Sequence, residues 1–144
     1  MSTDSNKQLI RGFIDEVWNE GQLAMVDEMM PTTLINHFPD GHIVNRDGFM
    51  QFVRALRTAF PDFHMILTDL IAEADRVVAR WVWHGTHRGQ LLEMQPTGKH
   101  AQIEGVCIYR LADGCIAEVW WAYDTATLMQ QLGFVPSAPR ISIG

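Results

Sequence analysis

Apolar side chains recur along residues 7–20 as Leu9, Ile10, Phe13, Ile14, Val17 and Trp18. This i, i+3, i+4, i+7 spacing predicts a helix with one buried face. Gly21 is a natural stop beyond it. A short second helix is expected from Leu23 to Met30, ended by Pro31. Residues 33–38 read as a short strand, and Pro39-Asp40-Gly41 as a turn. A third helix starts near Asp47, with Asn45 or Arg46 at its boundary, and buries Phe49, Phe52, Val53, Leu56 and Phe60 before Pro61.

From Phe63 onward the apolar period shortens to that of strands. Segments 63–73, 76–87, 100–112 and 115–123 are each rich in β-branched or aromatic residues. Ala74-Asp75-Arg76 and Asp113-Gly114 supply turns, the second a strong hairpin signal. Residues 88–99 form a longer connection containing Pro96-Thr97-Gly98-Lys99. A last helix spans about Thr125 to Leu132, capped by Asp124 or Thr125 and ended by Gly133. Residues 135–144 carry no period and are expected to form a loose arm. Helices first and a run of strands afterwards predict an α+β fold, in which a cone-shaped curved antiparallel sheet wraps around the N-terminal helices. The open end of such a cone is a pocket.

Composition narrows the function. At 144 residues the chain is read as one domain. Eleven Lys and Arg against 17 Asp and Glu give a charge of −6, which disfavours a nucleic-acid partner. No apolar run approaches the roughly 20 residues that cross a bilayer, so no membrane partner is expected. The polar start, Met1 to Lys7, predicts a cytoplasmic protein. Cys107 and Cys115, on neighbouring strands, read as free buried thiols of a reducing compartment. Five Trp, seven Phe and eight Met provide bulky surfaces for an organic ligand or for an ordinary core. There is no GxGxxG, P-loop, CxxC or HExxH motif and no internal repeat; with no third ligand placed near His84 and His87, no metal site is expected. His84 and His87, three apart on a strand, face opposite sides and make poor joint ligands.

Several segments together resemble one family. They are Gly85-Thr86-His87-Arg88-Gly89 with Pro96-Thr97-Gly98-Lys99, then Arg110-Leu111-Ala112-Asp113-Gly114-Cys115-Ile116-Ala117-Glu118-Val119-Trp120, and finally Asp124 with Gln130-Gln131-Leu132-Gly133. Trp18-Asn19-Glu20-Gly21 is a weaker match. In order and spacing they resemble the SnoaL-like polyketide cyclases, of the superfamily sharing the fold of nuclear transport factor 2, a cystatin-like α+β barrel. The resemblance covers about residues 6–134. It implies cofactor-free proton-transfer chemistry, cyclisation or isomerisation, on a small hydrophobic polyketide-like carbonyl compound, and a homodimer paired through the sheet. It also implies that the family's acid/base Asp falls at Trp121 and the supporting His at Cys107. Tryptophan has no proton to exchange at neutral pH, and a buried thiol is a poor carboxylate partner. The alternative reading is therefore a non-catalytic dimer that binds a small molecule.

If Cys107 and Trp121 face the pocket, alternation adds Gly105, Tyr109, Val119 and Tyr123 to the same wall. His37, before the Pro39 turn, lies at about the point of the chain where the ketosteroid isomerases, similar in fold, carry their base. An imidazole there is a candidate general base, or else a turn-capping group. Trp18 matches a pocket aromatic of the family. Arg54, beside Val53 on the third helix, is a candidate to stabilise an enolate, and a solvent-facing Arg is the alternative. Asp124 is a helix cap or a neighbouring carboxylate. Trp81 and Trp83 share a face directed either to the pocket or to a dimer interface.

Overall fold

The computed structural model describes residues 2–134, so the expected arm at 135–144 lies outside the described residues. Helix α1 (Thr3–Phe13) is capped by Ser2, whose hydroxyl accepts from Ser5 N at 3.0 Å. It continues directly into a π-helical turn, Ile14–Asn19. The single α-helix expected over 7–20 is thus longer at its start and wider at its end. Glu20 N donates to Asp15 O at 2.9 Å, a bond that spans five residues. The carbonyls left open at the end of this turn have a dedicated partner: Arg57 Nη1 donates to Trp18 O at 2.6 Å and Asn19 O at 2.9 Å. Gly21, at φ +71°, permits the left-handed exit, and its missing Cβ leaves room for the Arg57 side chain.

After α2 (Ala24–Met29) come β1 (Ile35–His37), β2 (Ile43–Val44) and α3 (Arg46–Ala59). Asn45 caps α3 by accepting from Gly48 N at 2.9 Å. Then follow β3 (His64–Glu73), β4 (Arg76–Thr86), β5 (His100–Ala112), β6 (Cys115–Tyr123) and α4 (Thr125–Leu132). The six strands form one curved, unclosed sheet in the order β2-β1-β6-β5-β4-β3. Four of the neighbouring pairs are antiparallel, but β1 runs parallel to β6, a departure from the all-antiparallel expectation. The chain leaves β1 through β2 and α3 and restarts at the opposite edge with β3, so the meander returns to β1 in its own direction. Register shifts between Leu67 and Asp69 and between Arg110 and Leu111 mark irregularities of the kind that bend a sheet.

The inner face of the sheet carries Trp81, Trp83, Ile103, Cys107, Val119 and Trp121, all buried. It packs on Ile10, Phe13 and Val17 of the first helical segment and on Phe49 and Val53 of α3. Asn19 stitches the π turn to the sheet edge, donating to Met65 O at 2.9 Å and accepting from Met65 N at 2.7 Å. The outer face carries one apolar row across the sheet, in which Ile71, Val78, Ile108, Trp120, His37 and Ile43 stand side by side. Cys107 is a buried free thiol as expected, but Cys115 is only half-buried, its thiol 3.6 Å from Glu28 O. Among the described residues no helix is long and apolar enough to cross a membrane.

Candidate functional site

Helices and sheet do not close on each other at the wide end of the cone, and a cavity of about 160 Å³ remains there. An engineered apolar cavity of about 150 Å³ holds a benzene ring, which sets the scale. The floor is made by Trp18, Met65, Trp81, Trp83, Ile103 and Trp121. The mouth is framed by Leu92 and Met94 of the 88–99 connection on one side, and by Tyr123, Asp124 and Met129 on the other. Leu92 is 80% exposed and sits at φ +53°, a strained conformation for a non-glycine residue.

Trp121 occupies the back of this space without filling it. Its ring stacks on Phe38, with centroids 5.5 Å apart and planes within 9°, and meets Phe52 and Trp18 edge-on. Its indole N–H donates to the buried Asn36 Oδ1 at 3.1 Å, so the group is committed to the fold. Trp81 and Trp83 both point into the cavity, which resolves their register. The Trp81 ring lies directly over Gly105, where a Cβ would overlap it, and its N–H donates to Cys107 Sγ at 3.3 Å.

That arrangement corrects the expected wall. Cys107 and Tyr109 do face inward, but both are fully buried in the core and are not among the residues lining the cavity. Burial pushes the Cys107 thiol up to about 12, against a smaller opposing effect of the Trp81 N–H. Burial also raises the Tyr109 phenol well above its usual range, with the neighbouring Cys107 adding to it. Tyr123, by contrast, reaches the cavity wall. Its phenol is pushed up to about 12, first by burial and then by the negative charge of Asp40, so it remains a hydrogen-bond donor at neutral pH.

Asp124 stands on the rim, but its oxygens serve α4. Oδ1 accepts from Ala126 N at 2.9 Å and Thr127 N at 3.3 Å, and Oδ2 from Thr127 Oγ1 at 2.9 Å. The Thr127 hydroxyl and these amides hold its carboxyl below the ordinary value. Trp18 lies on the cavity floor. Arg54 does not reach the site. It is exposed, because α3 turns Val53 and Leu56 inward, and Arg57 is the arginine that faces the π turn.

His37 is on the wrong face for a cavity base. Register pairs Asn36 with Val119 and His37 with Trp120, so Asn36 points in and His37 out. There His37 Nε2 lies 2.6 Å from Glu118 Oε2, and the ring stacks on Trp120 with centroids 5.3 Å apart. Arg110 Nε donates to the other Glu118 oxygen at 3.0 Å. His84 also lies on the outer face, whereas His87 is buried and its Nδ1 accepts from Thr97 N at 3.3 Å. Thr86 donates from N and Oγ1 to Asp62, at 2.6 and 2.9 Å. The Gly-Thr-His segment thereby fastens the 88–99 connection and the end of α3 to the sheet. Among the described residues, no group of three His, Cys, Asp or Glu side chains is placed to hold a metal.

A second cleft, of about 280 Å³, adjoins the mouth and shares Phe52, Tyr123 and Thr125 with the cavity. Phe38, Asp40, His42 and Val44 complete its wall. Asp40 Oδ2 lies 2.7 Å from His42 Nδ1, and Oδ1 accepts from His42 N at 2.9 Å. In the sequence Asp40 reads only as part of the Pro39-Asp40-Gly41 turn, and His42 stands just beyond it with no assigned role. The Asp-x-His spacing was the available signal, since a carboxylate two residues before an imidazole can grip its ring and its amide together.

The sequence model of the family described as SnoaL-like polyketide cyclase matches residues 8–132. Solved structures are similar over most of the chain. AclR of Streptomyces galilaeus, a proposed hydroxylase, is 25% identical, with 96% of this chain and 87% of that one covered at a TM-score of 0.86. IdmH of Streptomyces antibioticus, a proposed polyketide cyclase, is 27% identical, with 89% and 98% covered at a TM-score of 0.78. A proposed polyketide cyclase of Acidithiobacillus ferrooxidans is 29% identical, with 92% and 97% covered at a TM-score of 0.79. No curated protein matches the sequence.

Proposed function

The chain belongs to the SnoaL-like polyketide cyclase family, and from that premise we propose that its cavity binds a planar, hydrophobic, ring-containing carbonyl compound of the polyketide type. The observation that carries this reading is the floor of four tryptophans with Met65 and Ile103, which presents ring faces and no charged group. At the mouth, the Tyr123 phenol is the donor for the carbonyl oxygen of the ligand. Binding and orientation are favoured over an acid/base role for the pocket floor. The Trp121 N–H is tied to Asn36, and Cys107 is held in the core with its sulfur accepting from Trp81.

One aromatic ring removes roughly 150 Å² from water, worth about 4 kcal/mol at 25 cal/mol per Å² and hence a dissociation constant on the order of 1 mM. A second fused ring and a hydrogen bond bring that toward the micromolar range. Titrating intrinsic tryptophan fluorescence with acetophenone and then 2-acetonaphthone tests the reading. Saturable quenching is expected, tighter for two rings than for one, and weakened by Leu128→Trp, which narrows the cavity. Non-saturable quenching for both compounds up to their solubility limit would refute the proposal. Product analysis of the same mixtures separates a binder, which returns the ketone unchanged, from an enzyme.

A further inference from the structure

The cavity floor carries no base, and the Asp124 carboxylate at its rim is engaged by α4, but the cleft beside it offers an imidazole. Asp40 accepts from His42 at both its backbone N and its ring. A carboxylate can only accept, so the Nδ1 that faces it carries a proton, and in the neutral ring Nε2 is the nitrogen with the free lone pair. The Asp40 carboxyl lies below its ordinary value, chiefly through the His42 backbone N–H, which keeps it ionised to play this part. The cleft and the cavity meet at Phe52, Tyr123 and Thr125. Asp40 is near enough to Tyr123 for its charge to act on the phenol.

We propose that His42, oriented by Asp40, is the general base for a ligand whose rings occupy the cavity and whose carbonyl end emerges past Tyr123 into the cleft. This rests on the binding reading above and assigns the chemistry that the tryptophan floor cannot supply. His42 Nε2 takes the proton from the carbon α to the carbonyl. The C–H pair moves into the new C=C bond, and the carbonyl electrons move to oxygen as an enolate, which accepts from the Tyr123 O–H. Return of the proton from Nε2 to the conjugated carbon completes an isomerisation; when the Nε2 proton first swaps with one from water, its return to the same carbon completes an exchange, with water the only other reactant. His42 is the catalytic residue, and Asp40 is a positioning residue.

The test uses 2-tetralone, a bicyclic ketone, in D₂O, with loss of its α-proton signals followed by NMR and binding followed by tryptophan fluorescence. The wild-type protein should accelerate exchange saturably above the buffer rate. His42→Ala should lower kcat at least tenfold with Kd changed less than twofold, and added imidazole should restore part of the rate. Asp40→Asn should lower kcat with KM unchanged. The His42 side chain is 80% exposed, so its removal should leave the melting temperature in place. Bound ketone that exchanges only at the buffer rate, or equal rates in wild type and His42→Ala, overturns the assignment while the binding reading stands. A His42→Ala protein that loses binding and exchange together overturns it too, since His42 would then be a contact and not a base. Absence of binding to the wild type overturns both readings.

Discussion

Replacing Trp121 by Phe removes one N–H and the outer ring of the indole while leaving an aromatic group in place. Among the described residues the N–H is the only partner of Asn36 Oδ1, and Asn36 is fully buried. A buried acceptor left unpaired costs about 1–3 kcal/mol. The void is about 40 Å³, which at about 24 cal/mol per Å³ costs on the order of 1 kcal/mol more. Together the loss is about 2–4 kcal/mol, or a fall in Tm of roughly 6–12 °C for a chain of this size. Urea unfolding should show a lower midpoint at unchanged slope. The double variant Trp121→Phe/Asn36→Ala should lose less than the sum of the two single variants, because no acceptor is then stranded. A loss below about 1 kcal/mol for Trp121→Phe, or strict additivity, would refute the claim that this hydrogen bond fixes the back of the cavity.

Gly105→Ala places a Cβ on the Trp81 ring and within 3.0 Å of Ala122 O. Overpacking of this kind costs about 1–3 kcal/mol. The indole must shift toward the cavity, so affinity for 2-acetonaphthone should fall more than affinity for acetophenone. Glu118 has its carboxyl held below the ordinary value of 4.5, first by the hydrogen bond to His37 and then by Arg110. A depressed carboxyl stabilises the fold above its unfolded value and loses that contribution as pH falls through its folded one. The stability gap between wild type and Glu118→Gln should therefore be full at pH 7 and shrink below about pH 4.5 in urea unfolding, and a pH-independent gap would contradict this. On the outer face, Ile71 is 61% and Ile108 37% exposed within the apolar row. If the homodimer implied by the family resemblance pairs through that row, light scattering should return twice the chain mass and Ile108→Arg should halve it; a monomeric wild type would end that proposal.

The long strands were legible because their alternation runs for nine to thirteen residues, enough to phase it without a partner. The three residues of β1 are too few to phase, and a one-residue slip exchanges Asn36 for His37 on the inner face. Only the pairing with β6 decides it. Arg54 failed on helical geometry: adjacent residues lie about 100° apart, so the neighbour of an inward Val53 need not face inward. Cys107 and Tyr109 were assigned the correct face but not the correct depth. Their burial behind the cavity depends on Trp81 standing opposite Gly105, a pairing between strands that neither local segment reveals. The π turn left no trace, since over six residues the apolar spacing of a wide turn is compatible with that of an α-helix.

That π turn sets how the first helix tolerates change. A wide turn holds an additional residue. Losing one anywhere in Ile14–Asn19 would rotate the segments on either side by roughly 100° relative to each other. Either Ile10 and Phe13 would swing off the sheet, or Trp18 and Asn19 would leave Arg57 and Met65. The helix behaves as a ruler of fixed length. It absorbs substitutions along its solvent side, but an insertion or deletion within it would misalign the ligand chamber from a distance.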